Sequence, residues 1–238
     1  MQQLLIITPV KDSIDHTVRT MEAVVQSELN VPHRYVVFND NSTPENTARL
    51  HTEAARLGVE IVDLATLTDH PSPNYLFVLR RCRKEALADD AGLLIVESDV
   101  TVQRDTLQKL FDGATARPNC GIAAAVTVDE EGKINYPYLY ARSKEGQDYD
   151  CKKHCSFCCS LLTPALLKAC DFDRLDDSKN WFDVTISHDS LAAGLRNYLF
   201  CSLPVVHRPH GSRPWKQLKY TNPIKYYWTK WTKGFDKI

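Results

Sequence analysis

The sequence predicts an α/β fold in which a mostly parallel sheet is flanked by helices. Three observations carry this prediction. Short apolar segments alternate with segments whose apolar residues recur at helical spacing. The links between these segments are short, which favours right-handed strand–helix–strand units and a parallel sheet. One apolar segment, Leu93–Val96, is continuous rather than alternating, as expected of a parallel strand that is covered on both faces.

The size and composition fit a globular protein with a substantial core. The chain has 238 residues, of which 43% are hydrophobic and 25% are charged. The net charge of −1 gives no electrostatic reason to expect nucleic acid as a partner. We expect neither a signal peptide nor a membrane helix, because no apolar run reaches roughly 20 residues. The expected location is therefore cytoplasmic, with the inner face of the membrane as a candidate place.

Local signals predict where the elements begin and end. Pro9 is expected to end the first strand, because proline cannot donate to a ladder. Ser42 is expected to cap the second helix, with Pro44 at its first position and Glu45 completing a capping box. Ser187 is expected to cap a late helix. The predicted strands are residues 3–8, 33–38, 59–64, 92–96, 121–126 and 199–206. The predicted helices are residues 13–28, 42–57, 74–88, 104–115, 163–169 and 187–196.

Two carboxylates, Glu97 and Asp99, directly follow the continuous apolar strand. This is the carboxyl end of a strand, where open α/β sheets bind ligands. Oxygen ligands suit a hard divalent cation, and Mg²⁺ or Mn²⁺ would in turn hold a diphosphate. On this stretch alone, a loop with two solvated acids is the alternative. The ends of other predicted strands add further candidates at the same edge: Thr8, Pro9, Asp40, His207 and His210.

Six groups of residues, in order along positions 3 to 212, resemble segments of family 2 glycosyltransferases with the GT-A fold. Val37–Thr43 resembles the family's V-x-D-D-x-S-T, with Asn39 in place of the first aspartate. Leu94–Asp99 resembles its strand ending in D-x-D, with Glu97 as the first acid. The other segments are Ile7–Val10, Ser160–Pro164 with Cys170–Asp173, His188–Arg196, and Val205–His207.

The resemblance implies an inverting, metal-dependent hexosyltransferase. Such an enzyme moves a sugar from a nucleotide diphosphate sugar to a hydroxyl of a saccharide or glycolipid acceptor, as in cell-surface polysaccharide or glycolipid synthesis. Asp99, helped by Glu97 and by one of His207 and His210, would hold Mn²⁺ or Mg²⁺ on the diphosphate.

The resemblance also implies a general base and a set of donor contacts. Asp189 would take the proton from the acceptor hydroxyl, and Asp183 is the weaker candidate for this role. Asp40 would bind the base or ribose. Arg80 or Arg83 would add positive charge near the diphosphate, unless they belong to a solvated helix face. The implied nucleotide-sugar contacts are Thr8, Pro9, Asp40, Arg80, Arg83 and Ser98.

The domain organisation follows from the same resemblance and from a change of pattern. Residues 129–133 are typical of a hairpin turn. In residues 134–163 the apolar residues follow neither helical nor strand spacing. We expect one GT-A domain over residues 1–215, with a nucleotide-sugar half to about residue 100 and an acceptor half after it. Residues 216–238 form a separate tail.

The cysteines leave alternatives open. Cys151, Cys155 and Cys158 match the spacing of an iron–sulfur motif, and with His154 they could instead form a zinc site. Free buried thiols are the third interpretation. A nucleotidyltransferase is disfavoured because no glycine-rich loop follows the first strand. A catalytically inactive nucleotide-binding module of the same fold remains the alternative to an enzyme.

The tail mixes aromatic residues with lysines. This composition suits a membrane interface or an acidic partner, and a glycolipid acceptor would fit such a place. The alternative is a final helix that packs its aromatic residues on the domain. The tail is therefore a candidate for peripheral membrane contact.

Overall fold

The structure is a computed structural model and describes residues 1–178, 181–209, 218 and 222–232. The chain divides into two compact units, Met1–Arg208 and Pro209–Ile238. The strands are β1 Leu4–Val10, β2 His33–Asn39, β3 Glu60–Asp63, β4 Gly92–Val96, β5 Val100–Thr101, β6 Cys120–Val128, β7 Tyr149–Asp150, β8 Cys159–Leu162 and β9 Arg196–His207. The helices are α1 Ile14–Val25, α2 Pro44–Leu57, α3 Tyr75–Ala88, α4 Thr106–Thr115, α5 Pro164–Ala169, α6 Phe182–Ala192 and, in the second unit, α7 Pro223–Thr232.

The strands of the first unit form one sheet in the order β3-β2-β1-β4-β8-β6-β9-β5, with β7 paired to β9. Strands β1 to β4 are parallel to one another where they pair, and so are β6 and β9. Strand β8 is antiparallel to both of its neighbours, β4 and β6. The predicted α/β fold with a mostly parallel sheet flanked by helices is thus confirmed. The insertion of β8 was not predicted, and it brings the start of β8 to the carboxyl end of β4.

Strand β4 shows why its sequence is continuously apolar. Leu93 and Ile95 pack into the core on one face of the sheet, whereas Leu94 and Val96 pack into the core on the other face. All four side chains are fully buried. Helices α3, α5 and α6 contribute to the first of these cores, and α1 and α4 contribute to the second.

The first strand continues through Pro9 to Val10, so the prediction that Pro9 ends it is wrong. The carbonyl of Val10 accepts a hydrogen bond from Asp40 N, on the β2 side. Pro9, one residue earlier, therefore turns its backbone toward β4. Strand β4 pairs with β1 only as far as Ile7, so the missing N–H of Pro9 breaks no ladder bond.

Two predicted helix starts are also corrected. Helix α2 is capped by Thr43, whose hydroxyl accepts from Asn46 N at 3.3 Å, while the Ser42 hydroxyl accepts from Asp12 N at 2.9 Å. The predicted capping box at Ser42 is therefore wrong. Helix α6 begins at Phe182 rather than at Ser187, which is buried inside the helix.

Two other local predictions hold. Residues 129–133 form the expected turn, closed by a hydrogen bond from Asp129 N to Lys133 O at 2.9 Å. Helix α5 runs from Pro164 to Ala169, with the Thr163 hydroxyl accepting from Leu166 N.

Candidate functional site

The predicted metal-binding carboxylates lie at the carboxyl end of β4. Glu97 directly follows the strand and is half-buried, whereas Ser98 and Asp99 are each only 8% exposed. Strand β5 begins at Val100, so the three residues form a short link held between two strands. This is the edge of the sheet at which open α/β folds bind ligands.

His207 joins the acids through the last strand of the sheet. Strand β5 pairs antiparallel with β9 so that Val100 stands opposite His207, and Arg208 N donates to Asp99 O at 3.0 Å. These backbone contacts place His207 Nε2 3.5 Å from Asp99 Oδ2. The histidine is 5% exposed. The structure therefore brings together three of the four predicted metal ligands.

The second ring nitrogen of His207 has a backbone partner. Its Nδ1 lies 2.7 Å from Tyr136 O and donates its proton to that carbonyl. This contact orients the ring and leaves Nε2 on the side of Asp99, an arrangement common in metal-binding histidines. Burial disfavours the imidazolium, but the neighbouring Asp99 and Glu97 outweigh that effect and raise the pKa of His207.

Cys158 is a fourth side chain in this cluster, whereas the sequence had suggested Cys151, Cys155 and His154 as its partners. Its Sγ donates a hydrogen bond to Glu97 Oε2 at 3.2 Å. Ligand atoms of Glu97, Cys158 and His207 all lie within 4.8 Å of one another. The contact arises because β8 runs antiparallel to β4, which joins Glu97 N to Cys158 O at 2.9 Å.

The cluster is unfavourable for negative charge unless a cation is bound. Burial raises the pKa of Glu97, and the nearby charge of Asp99 raises it further. Burial also raises the pKa of the Cys158 thiol, with Glu97 and Asp99 adding to the shift. The two carboxylates and the imidazole offer oxygen and nitrogen donors that fit a divalent cation, and the thiol adds a sulfur donor. In the part of the chain that the structure describes, Glu97, Cys158 and His207 form the one group of three or more histidine, cysteine or acidic side chains that lie close enough to share a metal ion. His210 lies outside the described residues.

The predicted donor contacts around β1 and β2 are held in place by internal hydrogen bonds. Thr8 is buried, and its hydroxyl lies 2.9 Å from the hydroxyl of Tyr35. Pro9 is half-buried beside it in β1. The structure places both on the strand next to β4, but with no contact that tests donor binding.

Asp40 anchors the segment before α3. Its carboxylate accepts from the Ser72 hydroxyl at 2.7 Å, from Asn74 N at 2.8 Å and from Asn74 Nδ2 at 2.8 Å. Asn39, which replaces an aspartate of the family pattern, donates to Asp63 Oδ1 at 2.8 Å. An aspartate at that position would face the Asp63 carboxylate, so the substitution fits its surroundings. Asp40 has a structural role here, and its contact with a base or ribose stays a prediction.

The two arginines of α3 bind the segment that follows β8. Arg80 donates to the carbonyls of Phe172 at 3.0 Å and Leu175 at 2.7 Å. Arg83 donates to Leu167 O at 2.9 Å. Through these hydrogen bonds to backbone carbonyls, both guanidinium groups hold α3 against α5 and the segment that follows it. A role at the diphosphate stays a prediction for both.

The candidate bases Asp183 and Asp189 lie on different parts of α6. Asp183 is in the first turn, and its charge contributes to the raised pKa of Glu97 after the larger effects of burial and Asp99. Asp189 is exposed, and its charge acts on Cys170, whose pKa burial and Asp189 raise to about 11. The two acids are separated by about 9 Å along the helix axis. The charge of Asp183 thus acts on Glu97, whereas the role of either acid as the base stays a prediction.

The sequence contains a signal that places the start of α6 correctly. The Ser187 hydroxyl accepts from Cys155 N at 3.0 Å, so it serves a neighbouring loop rather than a helix cap. Phe182 and Ile186 are buried four residues apart, which is the helical spacing that marks the true first turn.

Among the described residues, the other thiols of the cysteine-rich segment do not belong to a group of three or more side chains that could hold a metal ion. Cys151 and Cys155 contact each other, and the hydrogen bond from Cys155 lowers the pKa of Cys151 below its usual range. Both are buried, as are all eight free cysteines. Only Cys158 belongs to a possible ligand group. This arrangement disfavours both the iron–sulfur and the Cys-rich zinc interpretations.

The overall architecture is shared with solved enzymes of sugar transfer. A mannosyltransferase from Pyrobaculum calidifontis, solved with GDP-Man and Mn²⁺, matches 95% of this chain with a TM-score of 0.65 and 14% identity. TarS from S. aureus, residues 1–349 with UDP-GlcNAc, matches 89% with a TM-score of 0.63 and 14% identity. GalNAc-T7, solved with UDP, GalNAc and Mn²⁺, matches 90% with a TM-score of 0.63 and 11% identity.

The chain has the GT-A glycosyltransferase fold. At these identities the similarity establishes the fold alone. The chain spans 63%, 61% and 46% of the lengths of these three structures, in the same order. No protein-family model and no curated protein matches the sequence.

Proposed function

We propose that this protein is a metal-dependent glycosyltransferase. It takes a sugar from a nucleotide diphosphate sugar and transfers it to an acceptor hydroxyl. The observation that carries the proposal is made at the carboxyl end of β4 in a GT-A fold: His207 lies within 4.8 Å of Glu97 and 3.5 Å from Asp99. Among the similar solved structures, one contains GDP-Man with Mn²⁺, one contains UDP-GlcNAc, and one contains UDP and GalNAc with Mn²⁺. These ligands support a donor of the same chemical class.

Asp99 and His207 are the proposed ligands of Mn²⁺ or Mg²⁺, with Glu97 beside them. When bound, the cation would offset the negative charge that develops on the diphosphate leaving group. The backbone bond between Arg208 N and Asp99 O keeps the two ligands at a fixed separation. Tyr136 O fixes the orientation of the imidazole.

Beside Asp189, the base that the resemblance implies, we propose Asp183 as a candidate general base. Its carboxylate would accept the proton of the acceptor hydroxyl while that oxygen attacks the anomeric carbon. A single displacement of this kind inverts the configuration of the sugar. Asp183 Oδ1 accepts from Val184 N at 3.0 Å, which holds the carboxylate at the start of α6.

A donor panel tests the proposed function. We expect turnover of at least one sugar among UDP-, GDP- and dTDP-linked hexoses in the presence of Mn²⁺. Hydrolysis of the donor is the readout when the acceptor is unknown, with release of the nucleoside diphosphate as the signal. A chelator should abolish the turnover, and added Mn²⁺ should restore it. Nucleotide binding without turnover of any donor would instead favour the inactive binding module.

We also propose that the acceptor side of the reaction takes place at a membrane surface, with a glycolipid as acceptor. The described helices include none that is long and apolar enough to cross a bilayer. Helix α7 carries four large hydrophobic residues on one face, at positions i, i+3, i+4 and i+7, all of them exposed: Ile224, Tyr227, Trp228 and Trp231. Trp228 and Trp231 are 66% and 78% exposed.

The positive charge of the lysines beside this helix face favours an anionic lipid surface as its binding partner. Lys225 and Lys230 fall on its two flanks at helical spacing. Residues 216–238 contain six lysines and one aspartate, and each lysine near an anionic bilayer contributes roughly 1 kcal/mol. Tryptophan and tyrosine are the aromatic residues that favour the headgroup region.

A vesicle experiment tests the lipid contact. The full-length protein should sediment with vesicles of phosphatidylcholine containing phosphatidylglycerol, and less with phosphatidylcholine alone. Replacing Trp228 and Trp231 together by alanine should weaken partitioning by at least about 100-fold, since burial of each large side chain is worth roughly 1.5–3 kcal/mol. Thr229→Ala is the matched control, because Thr229 lies outside the aromatic face. Equal sedimentation of the double variant and the wild type would contradict the lipid contact.

A further inference from the structure

The thiol of Cys158 occupies a position that the predicted ligand set does not explain. Its Sγ lies 3.2 Å from Glu97 Oε2, and both lie within 4.8 Å of a ring nitrogen of His207. The cysteine is buried and faces a carboxylate and an imidazole rather than apolar neighbours alone. A cysteine that acts only as a small hydrophobic residue packs equally well without a carboxylate and an imidazole beside its sulfur.

The backbone fixes this position. Cys158 O accepts from Glu97 N at 2.9 Å, and the β4–β8 ladder begins at the next residue with Cys159 opposite Val96. Ser156 Oγ lies 3.4 Å from Cys158 Sγ on the side of the loop. The sulfur therefore has little freedom to leave the cluster, since a cysteine side chain has one rotatable bond to its sulfur.

We propose that Cys158 is a thiolate ligand of the cation held by Glu97, Asp99 and His207. This inference rests on the proposed function, because it concerns the same metal site. On binding, the thiol loses its proton to solvent and the sulfur donates an electron pair to the metal, so one proton is released for each metal–sulfur bond.

A sulfur donor changes which metal the site prefers. Mg²⁺ selects oxygen ligands and dehydrates reluctantly, whereas thiolate and imidazole favour Zn²⁺ and other late transition metals. The donor set of this site combines carboxylate oxygens with one nitrogen and one sulfur. We therefore expect Co²⁺ and Zn²⁺ to bind more tightly than Mg²⁺. The affinity for Mn²⁺ should be higher than that for Mg²⁺ and lower than those for Co²⁺ and Zn²⁺.

Cobalt spectroscopy tests the ligand assignment without relying on turnover. The full-length protein, stripped of metal and kept reduced, is titrated with Co²⁺ in the presence of UDP or GDP. A sulfur-to-cobalt charge-transfer band in the near ultraviolet is expected for the wild type. Cys158→Ser should lose the band and weaken Co²⁺ binding by at least roughly 10–100-fold, since that is the loss for residues that only support a metal ligand. Cys159→Ser, the same chemical change at the next residue, should keep the band.

The possible failures are distinguishable. Visible cobalt bands without the charge-transfer band would overturn the role of Cys158 and leave an oxygen and nitrogen metal site in place. Absence of any Co²⁺ binding would also overturn it, and the donor panel would then decide the proposed function separately. Cadmium-113 NMR of the wild type gives a second answer that needs no variant. A resonance in the downfield range of sulfur-bound cadmium is expected, and one in the oxygen-bound range would contradict the proposal.

Discussion

Replacing Asp99 by alanine is expected to abolish metal-dependent turnover of the sugar donor. The carboxylate is the acid nearest to His207, and the pair is held by β5 and β9 around the proposed cation. A metal at a leaving group stabilises the transition state by several kcal/mol, and each 1.36 kcal/mol corresponds to a factor of ten in rate. We therefore expect a fall of at least about 100-fold in kcat/KM, together with weaker binding of Mn²⁺ and of the donor.

The fold should survive this substitution. The Asp99 contact with Arg208 uses the backbone carbonyl, which alanine retains, and removing one acid relieves the repulsion that raises the pKa of Glu97. The thermal midpoint should thus be unchanged or slightly higher. Asp105→Ala is the matched control, since the Asp105 carboxylate forms an exposed ion pair with Lys109 and is not part of the ligand group. Normal metal-dependent turnover by Asp99→Ala would remove this residue from the site.

Replacing Asp183 by asparagine is expected to preserve donor binding and to abolish transfer. Asparagine keeps the oxygen that accepts from Val184 N, so the first turn of α6 should be retained. It cannot accept the proton of the acceptor hydroxyl, and loss of a general base typically costs 10²–10⁴-fold in rate. The effect should appear in kcat, while the dissociation constant of the nucleotide sugar changes little.

The matched variant is Asp189→Asn, six residues further along the same helix. Because Asp189 is exposed and acts on Cys170 rather than on Glu97, we expect turnover close to that of the wild type. The opposite pattern, with Asp189→Asn inactive and Asp183→Asn active, would restore the assignment made from the resemblance. Normal turnover by both variants would show that neither acid is the base.

Several features of the fold follow from local patterns in the sequence. The continuous apolar run before Glu97 predicted a strand buried on both faces, and alternate residues of β4 do enter two different cores. The turn at residues 129–133 was equally local, because Asp129 supplies both side-chain and backbone hydrogen bonds to it. Such features depend on neighbours in the sequence, so the sequence alone suffices to predict them.

The features that were missed depend on contacts between distant residues. Strand β8 enters the sheet antiparallel between β4 and β6, and no local period indicates which strands it will join. The contact of Cys158 with Glu97 follows only from that insertion. Ser187 is a residue type that often caps helices, but its hydroxyl accepts a hydrogen bond from Cys155 N in another loop, so residue type alone misplaced the start of α6.

The most direct test of the account is a crystal structure with Mn²⁺ and the nucleoside diphosphate of the donor that turns over. Anomalous scattering would locate the cation independently of the protein atoms. If Asp99 and His207 hold the cation, an anomalous peak will lie within bonding distance of both, with the diphosphate oxygens on its open side. A nucleotide bound elsewhere, or a manganese peak away from the carboxyl end of β4, would contradict it.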